Sequence, residues 1–184
     1  MTGVQKTNRR RDDVANNGKE TLIDWLRDAH GMESQAVEML ERQAERIKNY
    51  PEVLAKVQEH IEVSNRQADR LKQCLQKLGT DTSAIKTGVA MLIGNAQSLS
   101  GVVASDEIVK ASVFDYSFEH FEIANYRALI AAAEQVGEPD IARTLQQSLD
   151  EELEMAAWLE QRLPQLTKTY LERKETVGTS EAKR

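Results

Sequence analysis

Apolar and small residues recur at three- and four-residue steps along the first part of the chain, at Leu22, Leu26, Ala29, Ala36, Val37, Leu40, Ala44 and Ile47. That spacing belongs to an amphipathic helix with one face turned inward, and it predicts a helix over 19–48. A second stripe, Leu54, Val57, Ile61, Ser64, Ala68, Leu71, Leu75 and Leu78, predicts a helix over 51–78. Pro51 suits its first position and Gly79 its stop. The break at Asn49-Tyr50-Pro51 is short, so the two helices are antiparallel neighbours.

The next stretch behaves differently. A polar turn over 79–83 leads into 84–99, where Ile85, Val89, Leu92 and Ile93 can hold a shorter helix. A connection of this length suits a long crossover that carries an additional helix and makes the second and third long helices parallel. The third long helix, over 104–136, has two apolar faces: Val109, Val113, Ile123, Ala124 and Ala131 on one, Phe114, Phe118, Phe121, Ala128 and Ala132 on the other. Such a helix is deeply buried or serves a subunit interface. After Gly137-Glu138-Pro139, a fourth helix shows Ile141, Leu145, Ser148, Glu152, Met155, Ala156, Leu159, Leu163 and Leu166, with Pro164 placed to kink it. The ends, 1–18 and 175–184, carry too few large apolar side chains to offset the entropy of ordering and are expected to be disordered tails. The pattern therefore gives an all-α four-helix bundle over 19–174.

Composition narrows the function classes. A chain of 184 residues suits one core, and three prolines among many helix formers agree with an all-α fold. The net charge of −6 argues against a nucleic-acid partner. Arg9-Arg10-Arg11 is offset at once by Asp12 and Asp13 and reads as a solvated tail. The single Cys74 cannot form an intramolecular disulfide, which fits a reducing compartment. No apolar run approaches the ~18 residues of a membrane span, and the start lacks a secretory h-region. A cytoplasmic protein without membrane attachment is expected. No Ser-His-Asp order, phosphate loop or zinc-type Cys/His cluster is present.

Candidate chemistry lies inside the stripes. Glu33 and Glu152 each sit at the centre of an otherwise apolar stripe, near the middle of their helices. An unpaired buried carboxylate costs several kcal/mol, so it must shift its pKa, find a partner or bind a cation. His60 flanks the second stripe, about 50° off its centre by helical projection. Glu119 and Glu122 share a face of the third helix with Asp115 and Tyr126. Acids and a histidine at mid-height on four helices form a constellation that binds two divalent metals. Taken singly, His60 also reads as a hydrogen-bonded core or surface histidine, and Glu119 or Glu122 as solvated or ion-paired. The tetrads Glu59-His60-Ile61-Glu62 and Glu119-His120-Phe121-Glu122 match in letters more than in geometry: Glu59 and Glu62 project away from their stripe, and His120 away from the two glutamates.

The residues also carry a resemblance. Asp28-Ala29 with Met32-Glu33-Ser34-Gln35, the Glu59–Glu62 tetrad with Gln67 and Arg70-Leu71, Glu119-His120-Phe121-Glu122-Ile123-Ala124 with Tyr126, and Leu149 with Glu151-Glu152 resemble the YciE/YciF-like family of bacterial ferritin-like stress proteins over about residues 20–170. The resemblance implies a ferritin-like four-helix bundle with an extra helix, commonly a homodimer, tied to stress responses. For the wider ferritin and rubrerythrin class it implies one Glu from each of the first and third helices and a Glu-x-x-His from each of the second and fourth. Glu33 fits the first and Glu122 or Glu119 the third. The fourth helix offers Glu152 followed by Met155, and the second offers Ser64 and Gln67, so the usual ligand set is incomplete.

Two functions follow as expectations. One is a stress protein binding one or two Fe or Mn ions through Glu33, His60, Glu119, Glu122 and Glu152, with oxygen or peroxide chemistry if active and no organic cofactor. The other is a metal-free structural or interaction module, acting as a dimer, whose buried acids pair with Arg127, Arg143 or one another.

Overall fold

The computed structural model describes residues 3–83 and 106–183, with side chains from Asn17 onward. Four long helices, α1 (Gly3–Ala44), α2 (Pro51–Lys77), α3 (Glu107–Gln135) and α4 (Pro139–Thr176), are followed by a short α5 (Thr179–Ala182). No strand occurs among the described residues. The helix expected over 84–99 lies outside them.

Contacts between helix ends fix the topology. Around its middle α1 meets the end of α2, where Arg27 Nη2 donates to Thr80 Oγ1 at 2.5 Å. It also meets the end of α3, where Lys19 Nζ lies 2.6 Å from Glu138 Oε1. Arg46, just past the end of α1, pairs with Glu107 at the start of α3. The first helix is thus antiparallel to both α2 and α3, which makes α2 and α3 parallel as the crossover requires. Helices α2 and α3 end in the same way. Gly79 and Gly137 adopt φ of 77° and 79°, the left-handed region that glycine enters without steric cost. Behind each, Thr80 N–H donates to Leu75 O and Glu138 N–H to Ala133 O, the bonds of a Schellman cap.

The apolar core has two halves. One packs Leu22, Leu26, Leu71, Cys74, Leu129, Ile141 and Leu145. The other packs Leu40, Ile47, Tyr50, Val57, Ile108, Leu166 and Tyr170. Within the first half Cys74 is 1% exposed, and burial pushes its thiol up to about 11. Buried polar groups, including Glu33, His60, Gln67, Asp115, Glu119, Glu122, Ser148 and Glu152, lie along the same helices between residues of the two halves.

Three expectations are corrected. Backbone helix reaches back to Gly3, ahead of the apolar stripe, since extending a formed helix costs far less than starting one. The polar C-terminal end is not loose: α5 docks on the bundle with Ala182 fully buried, because its backbone finds hydrogen-bond partners there. On α3 the acids turn inward together with part of the expected apolar set. Ser112, Asp115, Glu119, Glu122 and Tyr126 are buried along with Ile108, Phe118, Ile123, Leu129 and Ala133, whereas Val113, Ala124, Ala128 and Ala131 are exposed. A helix apolar on several sides has no strong preference of its own, so the partners available on α1, α2 and α4 decide which face turns in.

Candidate metal centre

Helices α2, α3 and α4 each bring a buried group to one point. One ligand atom from each of His60, Glu119, Glu122 and Glu152 lies within 4.8 Å of the others, all four residues buried. His60 Nε2 stands 3.3 Å from Glu119 Oε1 and 3.6 Å from Glu152 Oε2. The i, i+3 spacing of Glu119 and Glu122 puts both on one face of α3. His60, off the centre of its stripe, is nonetheless 3% exposed, because α2 packs against both α1 and α4 and buries both its flanks.

Electrostatics agree with a site that favours positive charge. Burial, then the charge of Glu152, then that of Glu33 hold the Glu122 carboxyl well above the ordinary carboxylate range. Burial, and then Glu152 beside it, do the same for Glu119. Burial holds His60 below its ordinary value, which keeps the imidazole neutral and able to donate a lone pair. Glu119 Oε2, Glu122 Oε1 and both oxygens of Glu152 are buried without a hydrogen-bond partner. Orphaned buried oxygens are costly, and a divalent cation is what three carboxylates and one imidazole would satisfy together. The donor set fits a metal.

Glu33 lies beside this group rather than in it. Its Oε1 accepts from the Tyr126 hydroxyl at 2.6 Å, and its Oε2 has no partner. Burial and then Glu152 push its carboxyl up. Arg127 and Arg143, expected as partners for the buried acids, are exposed, and Arg143 pairs with Asp140 at 2.9 Å. The arginine that reaches inward is Arg70, which grips Glu151 with two bonds of 2.6 and 2.7 Å while Gln67 Nε2 donates to Glu151 Oε2 at 3.1 Å. His120 is exposed and stacks edge-on against Tyr116.

Three residues that the sequence reading named were given no part in the site. Asp115, one turn from Glu119, is 3% exposed and accepts from Gln43 Nε2 at 2.8 Å; burial raises its carboxyl to about 7. Its shared face with Glu119 and Glu122 was the available signal. Arg70 and Glu151 gave none, since a pairing between distant helices leaves no periodicity.

Among solved structures, the chain is similar to a protein of Xanthomonas campestris, with 33% identity, a TM-score of 0.74, and 86% of this chain and 99% of that one covered. The YcfI protein of Rhodopseudomonas palustris matches at 31% identity and a TM-score of 0.68, covering 78% of this chain and 92% of that one. The Escherichia coli stress protein YciF shares the fold at a TM-score of 0.67 and 23% identity, over 79% of this chain and 94% of that one. The model of a domain of unknown function, DUF892, matches residues 17–172, nearly the whole bundle and every member of the candidate centre. With that span matched and YciF-like bundles as its structural relatives, the chain belongs to the DUF892 family.

Proposed function

We propose that the protein is a ferritin-like stress protein that binds one or two divalent Fe or Mn ions in its bundle core. The observation that carries this reading is the convergence of His60, Glu119, Glu122 and Glu152, all buried, with ligand atoms mutually within 4.8 Å. Mixed imidazole and carboxylate donors suit Fe(II) and Mn(II). Counting Glu33, four carboxylates match the charge of two divalent ions. The stress role rests on the similarity in fold to the E. coli stress protein YciF. A cytoplasmic homodimer is part of the same proposal and rests on the family resemblance.

A bound metal would supply Lewis acidity and, for Fe or Mn, electron transfer. The chain's own contribution is to exclude water from the four groups, keep His60 neutral, and hold Glu33 through Tyr126. A metal-free module is the second reading. It is favoured by the burial that keeps Glu33, Glu119 and Glu122 well above the ordinary carboxylate range, so that a neutral core can stand without an ion.

Elemental analysis after growth in iron and manganese separates the two. One to two equivalents of metal are expected in the wild type and a small residue in Glu119→Ala and Glu152→Ala. Substoichiometric metal in the wild type, unchanged in both variants, would leave the metal-free module standing.

A further inference from the structure

Beyond the centre, the C-terminal residues make an arrangement that the metal reading does not use. After α4 the chain turns at Gly178, whose φ of 86° lies in the region that favours glycine, and folds back across the end of the bundle. There α5 and Lys183 touch two other parts of the chain. From the α1–α2 turn, Tyr50 Oη donates to Ala182 O at 2.5 Å and Asn49 Nδ2 to Glu181 O at 2.9 Å. From the start of α3, Ile108 N–H donates to Lys183 O at 2.9 Å. Lys183 Nζ sits 3.4 Å from Glu107 Oε2, whose other oxygen pairs with Arg46.

The apolar hold on this segment is small. Ala182 is buried at 0% against the cluster of Tyr50, Ile108 and Tyr170, while Thr179, Ser180 and Glu181 are exposed. One methyl and a set of hydrogen bonds that water can replace are contacts a local opening can break without unfolding four long helices. Inward from Ile108, the buried face of α3 continues through Ser112 and Asp115 to Glu119. That is about 16 Å of helix axis, lined at successive turns by a hydroxyl and a carboxyl.

We propose that residues 178–183 form a releasable strap over this end of the bundle, and that its release opens the Ser112–Asp115 stripe as the route by which a divalent cation exchanges with the centre. The route rests on the metal reading; the strap does not. Beyond Glu107, which Arg46 and Lys183 already hold, Asp115 is the next buried carboxyl along α3 towards the centre, and Gln43 holds that carboxyl in place.

The test uses the full chain and Ala182→Asp, which places a charge where a methyl is buried and so expels the strap. Asn49→Ala/Lys183→Ala serves as a milder second variant should the first not fold. Hydrogen–deuterium exchange read by mass spectrometry should rise at least tenfold over 107–116 and stay unchanged over 64–75 and 145–156. Mn(II) uptake by the metal-free protein, followed by loss of the free-ion EPR signal, should quicken at least tenfold with the same final occupancy. Exchange that is unchanged, or raised throughout the bundle in both variants, overturns the strap. Unchanged uptake with a freed strap overturns the route. No Mn(II) bound by the wild type overturns the metal reading and the route together, and the exchange pattern then decides the strap by itself.

Discussion

In chelator, the protein is expected to melt about 10 °C lower at pH 8 than at pH 5. The sign follows from the buried carboxyls. Burial raises Asp115 from 3.8 to about 7, against the opposing bond from Gln43. Between those values the unfolded chain has released a proton that the folded chain keeps, so stability falls as pH rises. The contribution is fully present below the unfolded value and gone above the folded one. The whole shift is worth on the order of 4 kcal/mol, with about 3 kcal/mol of it between pH 5 and 7. Glu33, Glu119 and Glu122 are displaced in the same direction and extend the decline. His30 and His60, both lowered chiefly by burial, act oppositely below about pH 6.5, where the unfolded imidazole takes up a proton. Calorimetry in chelator across this range checks the balance. Asp115→Asn should melt higher than the wild type at pH 8, since its amide oxygen can still accept from Gln43 while the charge is gone. A midpoint that rises from pH 5 to 8, or an Asn variant with the wild-type slope, contradicts the assignment.

Replacing both Glu119 and Glu152 by Gln is expected to separate stability from binding. The amides keep the shape of the carboxyls and remove Glu119, whose ionisation burial opposes, together with the buried carboxyl of Glu152 beside it, a change that is often neutral or stabilising. In chelator at pH 8 the double variant should therefore melt at or above the wild-type midpoint. Mn(II) at a hundredfold excess over its Kd should stabilise the wild type by about 2.7 kcal/mol, a rise of at least ~5 °C, and should leave the variant's midpoint where it was. A variant that melts lower without metal would show that the acids are structural. A retained metal response would place the ion elsewhere.

Much of this architecture was legible in the chain. Stripes at helical spacing placed the four long helices, and Gly79 and Gly137 marked the ends of α2 and α3 that the structure caps with positive φ. Glu33 and Glu152 stood out because exposing either would drag an apolar stripe into water, and both are fully buried. The orientation of α3 was not legible, because periodicity reports a contrast between faces and α3 has little. What turns its acidic face inward is the chemistry on neighbouring helices: Gln43 opposite Asp115, Glu33 opposite Tyr126, His60 opposite Glu119. The docking of the last residues was hidden for a related reason. It depends on main-chain carbonyls of Glu181, Ala182 and Lys183, and backbone groups are the same in every sequence.

The placement of Cys74 gives the fold a built-in clock. A thiol reagent needs a thiolate it can reach, and the folded chain offers neither, with the side chain 1% exposed and its thiol pushed up to about 11. Labelling must pass through molecules that have opened the α2 side of the core, so its rate relative to the unfolded chain measures how often that opening occurs. Because this is the chain's one cysteine, the signal comes from a single position, and it counts openings at the Cys74 half of the core while the opposite end is free to move unseen.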